Sequence, residues 1–155
     1  VRDRRDAIER VLIGISGGGF TKDCAEWGGN IAAAFGARAT LLHVSLAPPL
    51  MYAGLEKVAQ TLTEFLQTPT LDAQALRCAA AFLDEIEVRA DVVLTYGLTE
   101  EELLRVAQDK DVDLLVIGSF WASQPMRRPF VSNITKKVLL NTRRPVLVVR
   151  PQDKS

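Results

Sequence analysis

Charge of one sign, cysteine, histidine and long apolar runs are all scarce in this sequence, and each shortage narrows what the chain can be. Lysine plus arginine number 19, and so do aspartate plus glutamate. A nucleic-acid surface usually declares itself by a basic excess, so no nucleic-acid partner is expected. Cys24 and Cys78 are the only cysteines in 155 residues. They are far apart and form no CxxC, which leaves no disulfide framework or zinc motif; both read as small core residues. No apolar run approaches the roughly 18–20 residues of a membrane helix, and no signal peptide is visible, so no membrane span and a cytoplasmic location are expected. His43 is the single histidine. It sits inside an apolar run and reads as structural. Ser16 has no His–Asp partners in a recognisable order. Glu100, Glu101 and Glu102 open a helix pattern, where acids offset the dipole. With no catalytic set and no metal cluster, the chain is expected not to be an enzyme.

What is present is apolar material in short blocks, 48% of the residues in all. Five nearly continuous runs recur: RVLIGI (10–15), ATLLHV (39–44), DVVLTY (91–96), DLLVIG (113–118) and PVLVVR (145–150). They do not alternate polar with apolar, so both faces must be covered, as in parallel strands between helical layers. Helical patterns lie between them. TKDCAEWGGNIAAAFG places Cys24, Trp27, Ile31 and Phe35 on one stripe, with Gly36 as a stop. Thr99-x-x-Glu102 reads as a capping box, followed by Leu103, Leu104, Val106 and Ala107 as a buried face. SNITKKVLLN carries Ile134, Val138 and Leu139 at helical spacing, and Pro145 opens the last strand. The sequence thus reads as one α/β domain over 1–155 with right-handed crossovers. Residues 1–9 form a polar arm. Residues 45–69 look like an inserted loop and extra helix, carrying Leu55, Val58, Leu62 and Phe65 or Leu66. After Thr68-Pro69 comes a second periodic stretch, with Leu71, Ala75, Cys78, Phe82 and Ile86 as its apparent buried face. The extra helix serves either as a lid or in packing and partner contact.

In such a sheet, ligands collect beyond the carboxyl ends of the strands. The candidate binding residues are therefore Ser16, Gly17, Gly18 and Gly19 after the first run, Val44 ending the second, Gly97 after the third and Gly118 ending the fourth. Arg127, Arg128, Ser132 and Asn133 join them from the loop that leads to the last helix. Glycines there let the backbone approach a phosphate, and a helix start favours an anion. Arginine suits phosphate, and Ser and Asn suit an N-cap. The same residues also read as a plain strand–helix corner and a solvated loop. The run SGGG is neither GxGxxG nor GxxxxGK[ST].

Several blocks in order, RVLIGISGG…CAEWGGNIAAAFGARATLLHV, YGLTEEELLRVAQDKDVDLLVIGS and ITKKVLLNTRRPVLVVRP, resemble a universal stress protein domain over roughly residues 9–151. That resemblance implies an open five-stranded parallel sheet in the order 3-2-1-4-5 with helices on both faces, a Rossmann-like fold of the adenine nucleotide alpha hydrolase type. It implies a regulatory role in stress response and a homodimer paired through the last strand (145–150), an apolar edge with unpaired backbone groups. It also implies ATP or another adenine nucleotide as the candidate cofactor. ATP-binding members carry G-x2-G-x9-G-[ST] after the fourth strand and an acid at the end of the first. Here Gly118 matches the first glycine, Trp121 replaces the second, Ser132-Asn133 stand at the final pair, and Ser16 replaces the acid. Trp cannot permit the close backbone approach that Gly allows. The expectation is a regulatory domain acting by dimer and partner contacts with a degenerate ATP motif. The alternative is a module for a nucleotide or other phosphate-bearing ligand in a non-standard pocket. SGGG also partly resembles the SGGxDS loop of PP-loop ATP pyrophosphatases, without its Asp-Ser. Because the chain begins at Val1, a parent protein is a further candidate partner.

Overall fold

The computed structural model describes residues 7–17, 21–45, 61–119 and 133–150, except for the side chain of Asn133. Gly18, Gly19, Arg127, Arg128 and Ser132 lie outside the described residues, as do Leu55, Val58, Trp121 and the arm over 1–6. The elements in chain order are β1 (Arg10–Gly14), α1 (Thr21–Phe35), β2 (Arg38–Ser45), α2 (Leu62–Leu66), α3 (Leu71–Glu85), β3 (Ala90–Tyr96), α4 (Thr99–Asp109), β4 (Leu114–Gly118), α5 (Asn133–Asn141) and β5 (Val146–Val149). All five strands pair in parallel, in the order β3-β2-β1-β4-β5. The expected sheet is therefore present, and each apolar run of the sequence became one of its strands.

The continuous runs have the cause expected of them. Along β1, Val11 and Ile13 pack toward α1 and α3, while Leu12 packs toward α4 and α5. On β4, Leu114 and Val116 take the first side and Leu115 and Ile117 the second. Neither face of β1 or β4 meets water, so their central residues are apolar; β2, also covered on both faces, keeps Thr40 and His43 as buried polar residues.

Three helix readings need correction. In α1 the buried residues are Thr21, Cys24, Ala25, Gly28, Gly29 and Ala32, whereas Trp27 and Phe35 are more than half exposed. The buried line is the one with the smallest side chains, because it is where the helix lies closest to the sheet and to α3. Gly36 does end the helix, with φ at +63°, a backbone conformation glycine adopts freely. In α3 the face set into the sheet is Ala73, Leu76, Ala79 and Leu83. The stripe expected to be buried is shifted outward, leaving Leu71 and Cys78 exposed and Ala75, Phe82 and Ile86 half-buried. Cys78 is thus not a core residue, although Cys24 is. At α4, Thr99 is the first helical residue rather than the cap. Leu98 stands at the N-cap position with no side-chain cap, and the Glu102 carboxylate accepts from Arg105 instead. Leu103, Val106 and Ala107 are buried as expected. On α5, Val138 is buried but Leu139 is 46% exposed.

Among the described residues, the chain between β2 and β3 holds two helices. Thr61 and Glu64 form a reciprocal capping box on α2, and the Thr70 hydroxyl accepts from Ala73 N–H to start α3. Arg77 of α3 donates to the Leu66 and Thr68 carbonyls, fastening the end of α2. Phe65 of α2 is buried in the core. This short helix is packed against the domain.

Candidate functional site

The strand order reverses between β1 and β4, and a cavity lies at their carboxyl ends, the usual ligand position in an open parallel sheet. Its volume is about 80 Å³. Ile15, Leu42, Val44, Leu103 and Ile117 give it apolar walls, and Ser16, His43 and Gly118 sit at the strand ends. Three helices begin on it: α1 through Thr21, α4 through Thr99 and α5 through Ile134. The first turn of a helix has N–H groups without intrahelical partners and a partial positive charge. Beside Gly118, the buried Ser119 hydroxyl has no hydrogen-bond partner among the described residues. A larger hollow of about 490 Å³ lies between α1 and α3. It runs along helix flanks and is lined by no strand end, so it lacks the geometry of the switch point.

Of the sequence candidates, Ser16, Val44 and Gly118 line the cavity, and Asn133 opens the helix whose second residue lines it. Gly97 does not line it; it packs on Glu102 with φ at +142°. Gly17 has a packing role. A Cβ there would lie 1.7 Å from Asp72 Oδ1 and 3.1 Å from the Asp72 backbone nitrogen. The corner after β1 therefore has glycine at 17 because the first turn of α3 presses against it. Thr21 closes the same corner by donating its hydroxyl proton to the Ser16 carbonyl.

His43, read as structural, is buried at the cavity wall. Its Nδ1–H donates to the Ile15 carbonyl at 2.9 Å, its ring stacks on Phe65 at 5.2 Å, and Nε2 is 3.7 Å from Asp72 Oδ2. The neighbouring Cys24 thiol is pushed up to about 12 by burial and, secondarily, by the Asp23 carboxylate. It stays protonated at neutral pH and is a poor nucleophile there. Thr21, Cys24 and Thr99 were not among the sequence candidates. Helix starts that face one point become visible only once the strand order is known.

Around the rim, Lys137 of α5 donates to Glu100 of α4 at 2.8 Å. That bond holds the Glu100 carboxyl below the usual carboxylate range. The folded state thus favours the ionised form, so the pair stabilises above the unfolded value and is lost as pH falls through the folded one. Lys137→Met is expected to be less stable than the parent at pH 7, with the difference shrinking below about pH 4.3. Urea melts at pH 7 and pH 3.5 measure this; an equal difference at both pH values would contradict it.

The chain is an open parallel α/β domain whose partly apolar cavity lies at the switch point, the position where ligands collect in sheets of this kind, with three helix starts facing it. The Universal stress protein family profile matches residues 7–150, and the chain belongs to that family. The universal stress protein MJ0531 of Methanocaldococcus jannaschii is 23% identical over 154 residues, covering 99% of this chain and 89% of that protein. Among solved structures, a universal stress protein in complex with cAMP superposes with a TM-score of 0.68 at 20% identity, covering 95% of this chain and all of the other. MJ0577 gives 0.69 at 20% identity, covering 95% and 99%. A universal stress protein from Archaeoglobus fulgidus in complex with dAMP gives 0.64 at 12% identity, covering 93% and 98%.

Proposed function

We propose that this chain is a regulatory domain in stress response that acts by self-association and partner contacts, and that its cavity takes a phosphate-bearing adenine ligand outside the usual ATP mode. The observation that carries the ligand is the convergence of the α1, α4 and α5 starts on one cavity. Three positive helix ends suit an anion, and the walls from Ile15, Leu42, Val44, Leu103 and Ile117 suit a flat apolar ring. Two structural neighbours are complexes with ligands of this chemistry, cAMP and dAMP. Ser16 supplies a hydroxyl where ATP-binding members have an acid, and Trp121 stands where their second loop glycine would be. These departures favour a monophosphate over a triphosphate. Self-association is proposed through β5, which among the described residues is an edge strand paired with β4 alone.

Calorimetric titration with AMP, cAMP, ADP and ATP, with and without magnesium, tests the ligand. AMP or cAMP is expected to bind in the micromolar range and ATP more weakly. No heat with any of them at millimolar concentration would remove the ligand and leave the partner-contact role. ATP binding tighter than AMP would reject the monophosphate preference. The domain is proposed to turn nothing over; product above background with any of these nucleotides across a divalent-metal panel would overturn that.

A further inference from the structure

We propose that a hollow at the amino ends of β1, β2 and β3 binds a free phosphate-type anion, inorganic phosphate or pyrophosphate, through Arg10, Arg38 and Lys110. This site lies at the opposite end of the sheet from the switch-point cavity and stands or falls independently of the adenine ligand put forward above.

The hollow measures about 270 Å³ and is lined by Arg10, Arg38, Thr40, Asp91, Lys110 and Val112. Among the described residues, three cations and one carboxylate therefore face it. Strand register brings them together. Arg10 and Arg38 are partners on neighbouring parallel strands, and Thr40 is the partner of Asp91. Side chains two apart on a strand share a face. Arg10 thus precedes Leu12 on one face, Arg38 and Thr40 precede Leu42, and Asp91 precedes Val93, all on the side of the sheet covered by α4. Lys110 ends α4, and Val112 follows it into the same apolar cluster.

The nearby carboxylates do not match these cations closely. Asp91 Oδ2 is shared, with Arg38 Nη2 at 3.9 Å and Lys110 Nζ at 4.0 Å. Neither distance is a hydrogen bond. Asp111 is shared in the same way, by Arg10 at 3.6 Å and Arg144 at 3.4 Å. The Asp113 carboxylate is turned to the backbone, where it accepts from the Glu9 and Arg10 N–H groups at 2.9 and 3.0 Å. Among the described side chains, four cations thus lean on two carboxylates. Like charges directly opposite on paired strands repel, yet β1 and β2 both begin with arginine. The negative end of the α4 dipole accounts for Lys110. It accounts for neither arginine. A tetrahedral oxyanion has acceptors enough for all three cations, and guanidinium forks suit it. The buried Thr40 adds a hydroxyl donor at the wall. Among the described residues, Val112 alone gives the lining an apolar wall, which is too little to seat a nucleoside base. That favours a free anion over a nucleotide.

The test is an amide-resolved NMR titration of the full chain with sodium pyrophosphate, the ionic strength being held constant with sodium chloride. The amides of Arg10, Arg38, Lys110 and Val112 are expected to shift and to saturate in the millimolar range. Arg38→Gln should weaken binding at least tenfold, roughly the worth of one charge-assisted hydrogen bond. Asp91→Asn should tighten it, because the competing negative charge is gone, whereas a purely structural ion-pair cluster would gain nothing from that change. Both side chains are more than half exposed, so both variants are expected to fold, with circular dichroism as the check. No shift at these amides at tens of millimolar pyrophosphate would overturn the inference. So would shifts confined to Ser16, Thr21 and Thr99, which would put the anion at the switch point instead. Binding unchanged in Arg38→Gln, or weakened in Asp91→Asn, would overturn it as well. AMP moving the same amides at lower concentration than pyrophosphate would reject the free anion.

Discussion

Valine in place of Gly28 is expected to cost about 3 kcal/mol of folding stability, at the upper end of what overpacking does. Gly28 lies in the middle of α1, where glycine is a poor helix former. By propensity alone an alanine there would gain about 1 kcal/mol. Space decides against the gain. A Cβ at this position would sit 2.7 Å from two side-chain carbons of Ile13 and 3.5 Å from Val116. Ile13 is fully buried, β-branched and enclosed on both sides of β1, so its side chain has nowhere to go. Alanine at this position should therefore lose about 1 kcal/mol net, with overpacking outweighing propensity. Valine adds two more methyl groups to the same contact and should lose far more. Denaturant melts of Gly28→Ala, Gly28→Val and Trp27→Ala measure the series. Trp27 is more than half exposed, so its truncation should change the monomer's stability little. If Gly28→Val melts with the parent, α1 does not sit on β1 as described.

That contact marks the boundary of what the sequence made legible. Strands were readable because a doubly covered strand is almost continuously apolar, and the runs at 10–15, 39–44 and 113–118 have that form, with Thr40 and His43 as the buried polar exceptions in β2. The order of strands came through the family resemblance, since local pattern says nothing about which strands pair. Helix faces were misread for one shared reason: hydropathy weights large side chains, while close packing needs small ones. Trp27 and Phe35 drew the expected face of α1 away from Gly28 and Gly29. In α3 both 71-75-78-82 and 73-76-79-83 are apolar, because the helix touches the sheet on one side and α1 on the other. Which line faces the sheet depends on where α1 lies. Ser16, Val44 and Gly118 could be placed beside the cavity from the sequence because strand ends are predictable. The packing of Gly17 was not legible, because its constraint comes from Asp72, 55 residues away in the chain. The Thr99 capping box matched in spacing only; Glu102 turned to Arg105, a stronger charge-assisted partner.

The second large effect is expected at His43, where alanine should cost about 3 kcal/mol. Truncating a buried aromatic ring removes packing and leaves a void; for phenylalanine that costs roughly 3–5 kcal/mol, and imidazole is smaller. The change also strips the Ile15 carbonyl of the N–H it receives from Nδ1, worth about 1 kcal/mol. The loss should reach α2. Phe65 is the only buried residue of that five-residue helix, and it stacks on His43 with the ring planes 20° apart. A helix this short cannot hold itself in water. Its place depends on Phe65, on its capping box and on Arg77. Phe65→Ala should therefore also cost about 3 kcal/mol, and the double variant should cost less than the sum by about 1 kcal/mol, the size of a stacked pair's coupling. Because His43 also lines the cavity, the same cycle can be read by nucleotide calorimetry. Phe65→Ala touches no cavity wall, yet it loosens the ring that forms one, so it should weaken AMP in the same direction as His43→Ala. Strict additivity in stability would mean that α2 does not dock through this ring pair. AMP affinity unchanged in Phe65→Ala would separate the packing role of His43 from its place at the cavity.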